Sequence, residues 1–153
     1  MLERIADNKT TVLIILAGIG STISGALGGW DGFLKILVAM MCCDYITGIL
    51  VAGIWKNSGK SDSGALDSKA GFKGIIKKGI ILMLVWLGAL MDQGLNIDYV
   101  RNALCMFFIG NEGLSLLENV GLMGVKCPAF LKDALEVLRK KGDGATSDSV
   151  ERK

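Results

Sequence analysis

The chain has 153 residues, 51% of them hydrophobic, and carries 17 Lys+Arg against 15 Asp+Glu for a formal net charge of +2. So small a positive excess gives no ground for a nucleic-acid partner, and the lack of histidine removes His-based catalysis and His metal sites. Four cysteines with no CxxC pair spell neither a disulfide framework nor a zinc site, so no cofactor, no metal and no enzymatic reaction is expected.

The apolar residues come in blocks, and the mean hydropathy is +0.47. A bilayer core of about 30 Å takes roughly 20 apolar residues in a helix. Residues 1–11 form a polar lead-in of mixed charge, and because it is not net basic no cleavable signal peptide is expected. From Thr10 to Trp30 no residue is charged, and a first span is predicted over Val12–Gly29. Ala17, Ser21, Gly25 and Gly29 recur there every four residues, a ridge of small side chains that lets another helix approach closely. After a turn with Trp30 and Phe33 at the interface, Ile36–Trp55 is the second span, interrupted by Asp44; Asp44, Thr47, Gly48 and Ala52 share one helical face.

A basic loop over residues 56–75 follows, rich in Gly and Ser. Lys56, Lys60, Lys69 and Lys73, with Lys77 and Lys78 just beyond it, are the residues expected to set topology, the last two snorkelling to the head groups. Its NSGKS lacks the first glycine of a phosphate-binding loop and follows no strand, so nucleotide binding is not expected. The third span is placed at about 76–95, with Asp92 near its far end, and the fourth at about 102–123. In the fourth, Asn111, Glu112, Ser115, Glu118 and Asn119 form one polar stripe of a helix. Residues 128–142 read as an amphipathic helix opened by Pro128 and stopped by Gly142, lying on the membrane surface or packing on a neighbour. The tail 143–153 has too little apolar content to order and is expected to be disordered.

The fold expected is therefore all-α and integral to the membrane: four transmembrane helices as two hairpins within a membrane domain at 12–127, plus the short C-terminal amphipathic helix. Basic residues are rich in the N-terminal lead, the central loop and the C-terminal segment, and sparse in the two short turns. The positive-inside rule then puts both termini and the central loop in the cytoplasm. Asp44 and Glu112 fall near the middle of their spans with no Lys or Arg in any span core to pair with them. Such acids are protonated or turned to polar partners. The stripe could join helices within one chain, specify an oligomer, or line an aqueous path.

Four stretches, in this order and spacing over residues 44–128, resemble the small phage lysis holins of the clostridial toxin-secretion type. They are DYITG at Asp44–Gly48, SKAGFKGIIKKG at Ser68–Gly79, the apolar segment ending LGALMD at Asp92, and NEGLSLLENVGLMGVKCP at Asn111–Pro128. The resemblance implies a multi-pass protein of the bacterial cytoplasmic membrane that forms homo-oligomers and then opens lesions for an endolysin, or a large toxin, to cross. It implies assembly or lesion-forming roles for Asp44, Glu112, Ser115, Glu118 and Asn119. Thr47, Gly48, Asp92 and Asn111 join that set on their position along the helices. Two other readings stay open: a small proton or cation channel or transporter using Asp44 and Glu112, and a membrane scaffold that recruits a cytosolic partner through residues 128–142.

Overall fold

The computed structural model describes residues 2–56 and 67–147, and every regular element among them is helical. The order is α1 (Leu2–Ala26), α2 (Gly32–Leu50, continued by a π-helical turn at Val51–Trp55), α3 (Ser68–Leu95), α4 (Val100–Leu122) and α5 (Ala129–Ser147). Lys60 and the rest of 57–66, and the tail from 148 on, lie outside the described residues.

The helix ends follow from backbone chemistry. Gly28 (φ 84°) and Gly29 (φ 101°) adopt the left-handed conformation that glycine alone takes without penalty, and the Gly29 amide donates to the Ser24 carbonyl at 2.8 Å. This closure stops α1 at Ala26, so Gly29 lies in the turn and not on the small-residue ridge. Asp31 caps α2, its Oδ1 accepting from the Leu34 amide at 2.9 Å. Asn96 (φ 54°) ends α3, and Gly124 (φ 85°) ends α4, each with the same reversed-bond pattern.

Helices α2, α3 and α4 pack together, and their shared core is Leu34, Leu37 and Met41 of α2, Ile81 and Val85 of α3, and Cys105 and Ile109 of α4. Gly88 of α3 lets the first turn of α4 come close: a Cβ there would stand 3.1 Å from the Arg101 Cα. Helix α1 does not join the bundle. Its side chains from Lys9 to Ile23 are exposed all round, so the first of the two expected hairpins is not a packed pair. Nothing stands within 4 Å of a Cβ placed at Gly25.

Three helical stretches are long and apolar enough to cross a membrane: Lys9–Ala26, Gly32–Trp55 and Ser68–Leu95. Helix α4 is not among them, because Asn111, Glu112, Glu118 and Asn119 dilute its apolar content.

Helix α5 takes the packing alternative, against α4. Gly110 faces the Leu135 carbonyl and Arg139 backbone, Gly113 faces the Leu135 side chain, and Gly142 faces Ala103 and Phe107. The two helices are antiparallel and touch backbone to backbone, an approach that only glycine permits. Gly142 is thus a contact point, not a stop, and α5 continues to Ser147, into the segment expected to be disordered.

Candidate functional site

Each helix of the bundle contributes one charged side chain to a common interior point. Lys78 of α3 donates from Nζ to Asp44 Oδ2 of α2 at 2.8 Å and to Glu112 Oε2 of α4. Glu112 is fully buried and Asp44 nearly so. From α4, Asn119 Nδ2 reaches Asp44 Oδ1 at 3.0 Å, the Asp44 carbonyl at 3.2 Å and Thr47 Oγ1 at 3.1 Å. The Thr47 hydroxyl lies 2.8 Å from the Cys43 carbonyl it donates to. The second Glu112 oxygen, Oε1, makes no hydrogen bond; the Lys77 ammonium, on a mostly exposed side chain, stands 3.7 Å from it.

This arrangement corrects the expectation that no cation lies within a span to meet the acids. Helix α3 begins at Ser68, so Lys78 is already in its third turn, with its ammonium turned inward to the acids. Lys78, Ile81, Val85 and Gly88 fall on one helical stripe, which is the side α3 turns to its neighbours. That stripe was hidden in the sequence because α3 is apolar on every side from Gly79 to Met91. Counted along the helices at about 1.5 Å per residue, the Asp44 and Glu112 backbones of this triad lie about 18 Å, and the Lys78 backbone about 25 Å, from the short-turn end of the bundle. Asp44 and Glu112 are thus near the middle of their helices, and Lys78 reaches them from the basic-loop side.

The polar stripe of α4 divides in two. Glu112 and Asn119 turn to α2 and α3. Asn111, Ser115 and Glu118 instead line a cleft of about 370 Å³, together with Lys77 of α3 and Lys132, Glu136 and Arg139 of α5. Gly48 is half-buried near the triad, while Ala52 is buried.

Asp92 is at neither the triad nor the cleft. Its two carboxylate oxygens each accept a backbone N–H at 3.0 Å, from Val100 and Arg101, so α3 supplies the cap for α4. Replacing Asp92 by Ala is expected to cost about 1 kcal/mol, the usual value of a lost cap, in the unfolding of detergent-solubilised protein. A change within error would show that water caps α4 as well as Asp92 does.

Arg101, in the first turn of α4, is buried, whereas in the sequence it stands only as the one basic residue of the second short turn. It clamps the α1–α2 turn. Nη1 and Nη2 take both Asp31 oxygens, at 2.6 and 3.1 Å, Nε donates to the Leu27 carbonyl, and Nη2 to the Gly29 carbonyl at 3.2 Å. The hydrogen bond from Arg101 holds the Asp31 carboxyl below the usual carboxylate range, against the opposing effect of burial.

Long apolar helices around a paired, buried ion cluster define a helical membrane protein. The chain belongs to the bacteriophage holin family, whose sequence profile matches residues 21–140. It is 37% identical over 130 residues to an uncharacterized protein of Listeria innocua, covering 84% of this chain and 87% of that one. An uncharacterized protein of Clostridium perfringens is 32% identical over 127 residues, covering 82% of this chain and 88% of its own length. A probable holin of Bacillus phage phi105 is 30% identical over 115 residues, 74% of this chain and 79% of that one. No solved structure matches the chain.

Proposed function

We propose that the chain is a phage-type holin of the bacterial cytoplasmic membrane, which assembles with copies of itself and opens lesions through which an endolysin, or a large toxin, crosses. The observation that carries this reading is the family match over residues 21–140, supported by the likeness to the probable holin of phage phi105. Helix α1 fits such a role: apolar, unpacked and carrying Ala17, Ser21 and Gly25 on one side, it is free to meet lipid and other copies. The distribution of Lys and Arg favours a cytoplasmic N-terminus and central loop, with the two short turns outside. The packing of α4 along α2 and α3 supports its crossing with them as a fourth span despite its polar stripe.

In this reading the triad holds α2, α3 and α4 together as a unit that moves as one during assembly. A proton or cation channel is less well supported, because Lys78 already occupies the acids that a permeating ion needs.

The test is release from cells. The chain is induced together with a wall-degrading enzyme that lacks any export signal. Abrupt lysis after the protein has accumulated in the membrane is the expected result. Loss of membrane potential without lysis would replace the holin by a small conducting path, and undisturbed growth at high membrane levels would remove both.

A further inference from the structure

Helix α5 has three sides with different chemistry. One is docked on α4 through Leu135, Arg139 and Gly142. On a second, Lys132, Glu136, Lys140 and Asp143 recur at helical spacing. On the third are Phe130, Ala134 and Val137, followed at the same spacing by Lys141, all exposed.

The docking also fixes where α5 lies. Gly110 and Gly113 sit in the middle of α4, and Gly142 reaches back to Ala103, near the short-turn end of the bundle. Over its 19 residues α5 rises about 28 Å, close to the thickness of a bilayer core. With α4 crossing beside α2 and α3, as proposed above, α5 docked on it runs at the depth of the hydrocarbon. A side with four ionisable residues cannot face lipid chains there. One chain cannot hold water against lipid, whereas a ring of chains can. The adjoining cleft, with Lys77, Asn111 and Glu118, extends the same wetted surface toward α3.

We propose that α5, docked on α4, lines the aqueous lumen of the oligomeric lesion with Lys132, Glu136, Lys140 and Asp143, and turns Phe130, Ala134 and Val137 to the neighbouring copy. This rests on the holin reading and adds which helix faces the water. It also places the end of α5 on the side of the short turns, opposite to the cytoplasmic C-terminus expected from charge alone.

The experiment uses the full chain with the three exposed cysteines, Cys42, Cys43 and Cys127, changed to Ser, and with buried Cys105 kept. Single cysteines are then introduced as Glu136→Cys and Lys140→Cys, as Val137→Cys, and as Ile15→Cys on α1. Cells without endolysin are treated from outside with a membrane-impermeant cationic methanethiosulfonate, before and after the onset of lesions. Release of a cytoplasmic reporter enzyme is followed in the same cells.

The expected result is modification at 136 and 140 at least tenfold faster than at 137 and 15, and only after onset. Reporter release with no preference for 136 and 140 overturns the lumen assignment and leaves the holin reading intact. The preference without reporter release upholds an aqueous path along α5 and removes the large lesion. Modification at 136, 137 and 140 at one rate, unchanged by onset, overturns the proposal in favour of a surface helix. As a second variant, Gly110→Leu with Gly142→Leu forces α5 off α4. The preference for 136 and 140 is then expected to vanish while membrane accumulation persists; its survival overturns the docking on which the proposal stands.

Discussion

Replacing Lys78 by Met is expected to destabilise the bundle by about 3–5 kcal/mol, the cost typical of removing one partner from a buried ion cluster. The change leaves buried Asp44 without its cation and Glu112 with only Lys77, whose mostly exposed ammonium stands 3.7 Å from Oε1. Glu112→Gln is expected to be milder, because Lys78 keeps Asp44 and Asp44 keeps Asn119. Combining Lys78→Met with Asp44→Asn and Glu112→Gln removes all three charges and should recover most of the loss, since uncharged groups of similar shape carry little desolvation penalty. Unfolding of the purified protein in mixed micelles, followed by helical circular dichroism, measures all three. A single variant as stable as the parent would mean that the triad is not closed in the folded protein.

Arg101→Ala should have the second largest effect, about 2–3 kcal/mol in the same assay, from hydrogen bonds in which one partner is charged. The guanidinium reaches the Asp31 carboxylate with two nitrogens and the Leu27 and Gly29 carbonyls besides. Arg101→Lys should not rescue it, because an ammonium cannot offer that planar fork. The contact has a pH signature whose sign follows from Asp31. Its carboxyl is held below the ordinary range in the fold, so its contribution is complete above the unfolded carboxylate pKa and is lost as pH falls through the lowered folded value. Asp31→Asn should therefore flatten the acid limb of the stability profile. A limb that keeps its slope in Asp31→Asn would assign the acid sensitivity to other carboxylates. Because Asp31 is partly exposed, screening keeps its own share small compared with the loss of the whole clamp.

Much of this molecule is legible in the order of its residues. The apolar blocks that become α1, α2 and α3 are visible because spanning length is a property of consecutive residues. The stops at Gly28–Gly29, Asn96 and Gly124 are local too, each set by a residue that tolerates positive φ. The motifs at residues 44–48, 68–79 and 111–128 point to the holin family by themselves, and the family match agrees.

What the residue order left open is how each helix is turned about its own axis. Lys78 reads as a charge at a membrane edge until α2 and α4 are packed against α3, and only then does it meet Asp44 and Glu112. Gly142 reads as a helix stop until α4 lies beside it, where the missing side chain is needed for contact and not for a turn. Arg101 reads as the one basic residue of a short turn until it closes on the Leu27–Asp31 turn from 70 or more positions away. Spans and caps are written in neighbours along the chain. Ion partners and docking faces were decided by the tertiary structure, because a helix that is apolar all round carries no mark of which side its neighbours will take.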